Sequence, residues 1–146
     1  MKTRINIEKL EPKAYEAMMV MEKYLGQSSI DTNLSELIRF RVSQINGCAY
    51  CIEMHSQEAL KKGETQNRLF ALSAWWETPL FTEKEKSALA MTDEITEISK
   101  YGLSDKTFEK VNKHFSENEI AQLIMLIGLI NTWNRIAIST HMFHKN

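Results

Sequence analysis

The sequence predicts an all-α protein, and three observations lead there. Helix-start signals recur: Thr82 with Glu85 and Ser116 with Glu119 read as capping boxes, and Pro12 suits a first helical turn. Apolar residues repeat at three- and four-residue spacing over long stretches. No alternating apolar–polar run lasts more than a few residues, and only two prolines and five glycines interrupt the chain.

Seven helices follow in order. The first opens at Pro12, runs through Ala17, Met18, Met21 and Leu25, and ends near Gly26. The second covers Thr32 to Ile45, on the spacing of Leu34, Leu37, Ile38, Arg41 and Ile45, and Asn46-Gly47 breaks it. The third begins near Cys48 and stops at Gly63, a residue suited to a left-handed cap. A shorter fourth covers Thr65 to Trp75. The Thr82 box opens a fifth, reaching about Ser99. Ser104 caps a sixth that runs to His114, and the Ser116 box opens a seventh that runs to Thr140.

The expected architecture is a helical bundle of about six to seven helices. It reads as one domain over residues 1–146, without linker or repeat. The stretch Ile120 to Ile138 is apolar on nearly every side, so it is expected both in the core and against another subunit, which predicts a homo-oligomer.

Composition narrows the function. Hydrophobic residues make up 43% and charged residues 25%, ordinary for a globular chain of this size. The net charge of −1 supplies no basic field, so nucleic acid is not an expected partner. The most apolar run, Ile120 to Ile130, is too short for a bilayer and meets Asn131, Asn134 and Arg135 at once; no membrane association is expected. The opening MKTRINIEKLEPKAYEAMMV has no apolar stretch ahead of a small-residue cleavage site. The expected location is therefore the reducing cytoplasm, where two cysteines point to catalysis or metal binding before structure.

The segment that carries chemistry is ELIRFRVSQINGCAYCIEMHSQEALKKG, from Glu36 to Gly63. Cys48 and Cys51 are three apart at a helix start, neighbours on the helical surface and close enough for a disulfide. Unpaired N–H groups and the dipole at that end favour a thiolate. His55 sits one turn beyond Cys51 on the same face, where an imidazole can take or return the thiol proton. Glu36 lies on the preceding helix. If the two helices pack as a hairpin through Asn46-Gly47, Glu36 faces His55 and orients it. The dipole acts most strongly on Cys48, whereas His55 favours Cys51 as the reactive thiol.

Bland readings stand beside these. Two buried cysteines can act as small hydrophobes. A zinc site would need Cys48, Cys51 and His55, with His141 or His144 as a fourth ligand. Trp75, Trp76 and Trp133 could line a pocket but at this spacing suit core or interface. Tyr50, between the cysteines, is placed to shape substrate access. Arg39 and Arg41 are expected to pair with surface carboxylates, and His114 to complement a helix dipole.

The pattern E-x(11)-C-x-x-C-x-x-x-H resembles the signature of the alkyl hydroperoxidase D-like proteins of the carboxymuconolactone decarboxylase superfamily. The likeness spans nearly the whole chain, through LSELIRFRVSQINGCAYCIEMHSQEALKKGE, WWETPLFTEKEKSALAMTDEIT and HFSENEIAQLIMLIGLINTWNRIAI. It centres on a redox core of about residues 34–64. It implies an all-helical fold assembling as trimers or hexamers, and a cofactor-free peroxidase or thiol oxidoreductase. By motif position Cys51 would be the peroxidatic thiol and Cys48 the resolving one, with Glu36 and His55 as proton relay. The implied partners are a peroxide substrate and an external dithiol or thiol reductant. The cysteine pair argues against the decarboxylase branch, whose members generally lack it. At one position the chain departs: the best-characterised peroxidases carry a second histidine between the cysteines, and here Tyr50 stands there. That substitution motivates an alternative, a disulfide oxidoreductase or redox sensor with little peroxidase activity. A non-catalytic helical assembly protein is the third reading.

Overall fold

The computed structural model describes residues 2–144, the side chain of residue 101 aside. Among these residues there are nine α-helices and one 3-10 helix, and no strand. The helices are α1 (Ile7–Leu10), α2 (Pro12–Leu25), α3 (Thr32–Asn46), α4 (Ala49–Lys61), α5 (Gln66–Ala71), α6 (Glu83–Thr96), α7 (Ile98–Tyr101), α8 (Asp105–Asn112) and α9 (Glu117–Thr140). The 3-10 helix, Leu72–Glu77, follows α5.

The all-α expectation holds, and the count exceeds six to seven for local reasons. A one-turn α1 forms because the Asn6 side chain accepts from the Lys9 N–H. It cannot run into α2, because the residue before a proline is pushed out of the helical region, and Glu11 sits at φ −130°, ψ 61°. The expected Thr65–Trp75 helix tightens into the 3-10 segment and kinks at Ala74, with φ −131° and ψ 40°. At the other end of α6, Glu97 leaves helical geometry and a separate turn, α7, closes at Gly102. Both predicted capping boxes are present, each with its two reciprocal hydrogen bonds.

Helix α3 organises the core because it is buried on two faces. Leu34, Ile38 and Val42 pack with Met91 of α6 and with Leu123, Ile127 and Ile130 of α9. Leu37 and Phe40 turn the other way, against Ala59 of α4, Leu69 and Leu72. Burying each such side chain contributes roughly 1.5–3 kcal/mol. By length and composition α9 could cross a membrane, with an apolar window of mean hydropathy 1.3; half of that window is buried inside the fold.

A polar network fastens the end of α3 to α9. Asn134 is fully buried; its Oδ1 accepts from Asn46 Nδ2 at 3.0 Å and its Nδ2 donates to Ser43 Oγ at 3.2 Å. Asn46 Nδ2 also donates to Asn131 Oδ1 at 2.9 Å. This bracing positions the turn into α4. There Gly47 takes φ +67°, a left-handed conformation in which a Cβ would be strained. Its N–H donates to Gln44 O, and the Cys48 N–H donates to Ser43 O at 3.0 Å. The chain thus reverses in one residue and α4 returns along α3.

Candidate functional site

The reversal delivers the four residues on which the sequence argument turned. Cys48 is the N-cap of α4, and its sulfur accepts from the Cys51 N–H at 3.3 Å. The first turn brings the two Cα atoms to 5.3 Å, and the cysteines are joined as a disulfide. Both are almost wholly buried, at 1% and 2% exposure. His55 follows Cys51 by one turn and is buried too. Across the α3–α4 hairpin, Glu36 Oε2 accepts from His55 Nδ1 at 3.0 Å.

Glu36 has a second partner that the sequence reading missed. Lys62, at the C-cap of α4, donates from Nζ to Glu36 Oε1 at 2.7 Å. A signal for it existed: Lys62 follows His55 by seven residues, two turns along the same face. Burial by itself would raise the Glu36 carboxyl. The hydrogen bonds from His55 and Lys62, and their charges, outweigh burial and hold it at about 2, against an ordinary 4.5. Glu36 is therefore ionised, His55 carries its proton on Nδ1 toward it, and Nε2 is left over. That Nε2 is buried and has no hydrogen-bond partner among the described residues.

The depressed carboxyl has a testable consequence for stability. The folded value lies below the unfolded one, so the stabilisation is complete above about pH 4.5 and is lost as pH falls toward 2. Its size is on the order of 2–3 kcal/mol. Urea titrations of oxidised wild type and Glu36→Gln should converge between pH 5 and pH 3. A gap that stays constant over that range would remove the assignment.

The site opens on a cleft of about 450 Å³ between α2, α3, α4 and α9. Cys51, His55, Glu36 and Tyr50 line it, and Cys48 does not. The rest of the wall is largely apolar, with Met19, Leu25, Met54, Ile130, Trp133 and Met142. Trp133 meets Tyr15 edge to face at 5.3 Å. Arg39 makes the carboxylate pair expected of it, a two-pronged contact with half-buried Glu22 at 2.9 and 2.7 Å, but is itself buried in this wall. Arg41 pairs in the same manner with Asp93, which also accepts from Trp75 Nε1. Trp75 and Trp76 lie away from the cysteines, beside a separate cleft that His114 also lines.

Tyr50 lines the same cleft as Cys51. Its ring stacks on His144 at 4.2 Å, and His144 Nε2 is 3.3 Å from the Tyr50 carbonyl oxygen. His144 is thereby engaged away from the cysteine sulfurs, and His141 caps α9 in a left-handed conformation. Among the described residues no group of three or more His, Cys, Asp and Glu side chains is arranged to hold a metal ion. The ligand set that the zinc reading needed is thus not assembled.

Comparison with known proteins agrees with the all-helical fold. The carboxymuconolactone decarboxylase family matches residues 12–94. The uncharacterized protein YdfG of Bacillus subtilis (strain 168) is 42% identical over 139 residues, covering 95% of each chain. A crystal structure of a protein of unknown function from Agrobacterium tumefaciens, a candidate antioxidant defence protein AhpD, superposes with a TM-score of 0.96. It is 40% identical and covers 99% of both chains. A debrominase shares the fold at a TM-score of 0.83 and 21% identity, over 94% of this chain and 74% of that one.

Proposed function

The chain belongs to the carboxymuconolactone decarboxylase family, as an alkyl hydroperoxidase D-like member, and we propose that it is a cofactor-independent thiol peroxidase. The observation that carries the proposal is that Cys51 and His55 line one cleft, with His55 bound through Nδ1 by ionised Glu36 and its Nε2 without a hydrogen-bond partner among the described residues. A general base needs a lone pair beside the nucleophile, and a neutral imidazole bound through Nδ1 offers one at Nε2.

The cycle starts from the reduced dithiol. His55 Nε2 takes the Cys51 proton, and the thiolate sulfur attacks one oxygen of the peroxide. The O–O bond breaks, Cys51 becomes a sulfenic acid, and the leaving alkoxide takes the proton from His55 and departs as an alcohol. The Cys48 thiol then displaces hydroxide from the sulfenic sulfur. The hydroxide combines with the thiol proton as water, and the disulfide forms. An external dithiol or thiol reductant restores the pair by exchange through a mixed disulfide. The i, i+3 spacing of the cysteines, already joined, supports this closing step. Peroxide consumption with a dithiol reductant is the test.

Tyr50 favours a second reading, disulfide exchange with little peroxide turnover, because its ring packs on His144 and adds no imidazole to the relay. Rapid exchange with a protein disulfide, without peroxide loss, would select it.

We also propose a homo-oligomer, trimer or hexamer. Val20 and Tyr24 on α2 and Ile124 and Met125 on α9 remain exposed, at 64%, 58%, 41% and 46%. Exposed apolar faces of this kind mark association surfaces. Light scattering at micromolar concentration should give three or six times the 17.0 kDa chain mass. A monomer at that concentration would rule the assembly out.

A further inference from the structure

The carboxylate of Glu36 is shared between two donors of different kind. His55 occupies one oxygen from inside the fold and Lys62 occupies the other from its edge. The Lys62 side chain is 39% exposed, whereas those of Glu36 and His55 are 9% and 7% exposed. A solvent-reaching ammonium therefore ends a chain of contacts that begins at the thiol cleft.

We propose that Lys62 is a positioning residue of the relay: by holding the outer oxygen of Glu36 it fixes the inner oxygen on His55 Nδ1, and its charge sets the pH at which the Cys51–His55 pair gives up its protons. The inference rests on the thiol-relay reading above.

Two arguments support it. The first is orientation. With each oxygen bound by one partner, the carboxylate cannot turn away from the imidazole, so the ring of His55, which lines the cleft, is held in one orientation. The second is charge balance. A buried carboxylate facing an imidazole alone would hold it in the protonated form, which cannot accept the thiol proton. The lysine offsets part of that pull.

Among the described residues no other cation lining this cleft is free to substitute. Arg39 is matched by Glu22 through both prongs. Glu58, also on the wall, accepts from Lys61 at 2.7 Å. From α2 the phenol of Tyr15 is kept protonated, chiefly by burial and by nearby Glu8. Helix α9 contributes only Ile130, Trp133 and Ala137. Cys51, His55 and Tyr50 complete the titratable groups facing the space among the described residues.

The sign of the effect is independent of where the shared proton sits. Removing a cation raises the pH at which nearby acids lose protons, and for a coupled pair both macroscopic steps move the same way. The experiment uses reduced protein in a Cys48→Ser background, where Cys51 is the one thiol. The rate of its alkylation by iodoacetamide is followed against pH for Lys62 and for Lys62→Arg, Lys62→Met and Lys62→Glu. The arginine profile should superpose on that of lysine. The methionine variant should move the acid limb up by about one pH unit, and the glutamate variant further.

A lysine that only secures the end of α4 would lower the melting temperature and leave the limb in place, so four coincident profiles overturn the inference. A methionine profile displaced to lower pH overturns it as well. Peroxide turnover of the wild type is measured separately. If wild type consumes no peroxide but the limb follows the charge at position 62, the peroxidase reading fails and the role of Lys62 stands. If turnover is present and the limb ignores the charge, only the role of Lys62 fails.

Discussion

Cys51→Ser protein is expected to consume peroxide at least about a thousandfold more slowly than wild type, because a serine hydroxyl does not ionise in this range and is a weak nucleophile without full activation. Cys48→Ser should behave differently. Its Cys51 still lines the cleft beside His55, so one equivalent of peroxide should react in a single fast turnover. The cycle then stops at sulfenic acid, since no second thiol is present to close the disulfide. Dimedone labelling of that sulfenic acid, with mass spectrometry of the adduct, reads the step directly. The two variants therefore separate attack from resolution. Equal steady-state rates in wild type and both variants would end the proposed function. A stoichiometric burst in Cys51→Ser would reverse the two roles.

The largest stability effect is expected at Asn134. Its amide is fully buried and serves two partners, Asn46 Nδ2 and Ser43 Oγ. Asn134→Ala leaves each partner one bond short and opens a cavity between α3 and α9. Each lost bond of this kind costs roughly 1–3 kcal/mol, so about 3 kcal/mol in total is expected, near 10 °C in melting temperature for a chain of this length. Exposed Thr132, two residues away, is the control, and its alanine variant should remain within about 0.5 kcal/mol of wild type. A denaturant midpoint for Asn134→Ala equal to that of wild type would dismiss the network as a stabilising feature.

Asn134 also shows what a sequence reading can and cannot reach. In the sequence it looked like a polar residue that ended an apolar run. In the fold it is the bracket that holds the turn ahead of Cys48. The difference is tertiary: whether a buried amide is a cost or a fastening depends on partners 88 and 91 residues away. Local signals fared better. The capping boxes, the Asn46-Gly47 break and the Cys51–His55 face are each decided within one helical turn or one tight reversal, and each is present. Glu36 was reachable because a hairpin through Gly47 leaves α4 little choice but to lie along α3. Lys62 shared the periodicity of His55, but lysine spacing on a helix ordinarily marks a solvated face. Arg39 pairs with a carboxylate as expected, but nothing in its neighbours says that α2 folds over it and presents Glu22. The extra helices arose where a single residue, Glu11, Ala74 or Glu97, leaves helical geometry, an event that apolar periodicity does not register.

The disulfide spans three residues within one turn of α4. A bridge this short encloses almost no chain. In the loop-entropy picture it restrains the unfolded ensemble by roughly 2 kcal/mol, against nearly 5 for a bridge that closes a hundred residues. The packing of α3 against α6 and α9 supplies the architecture instead. Opening the bond therefore rearranges one turn and leaves the topology intact. A cross-link of this kind is a consumable: it can be spent and remade many times without the scaffold around it coming apart.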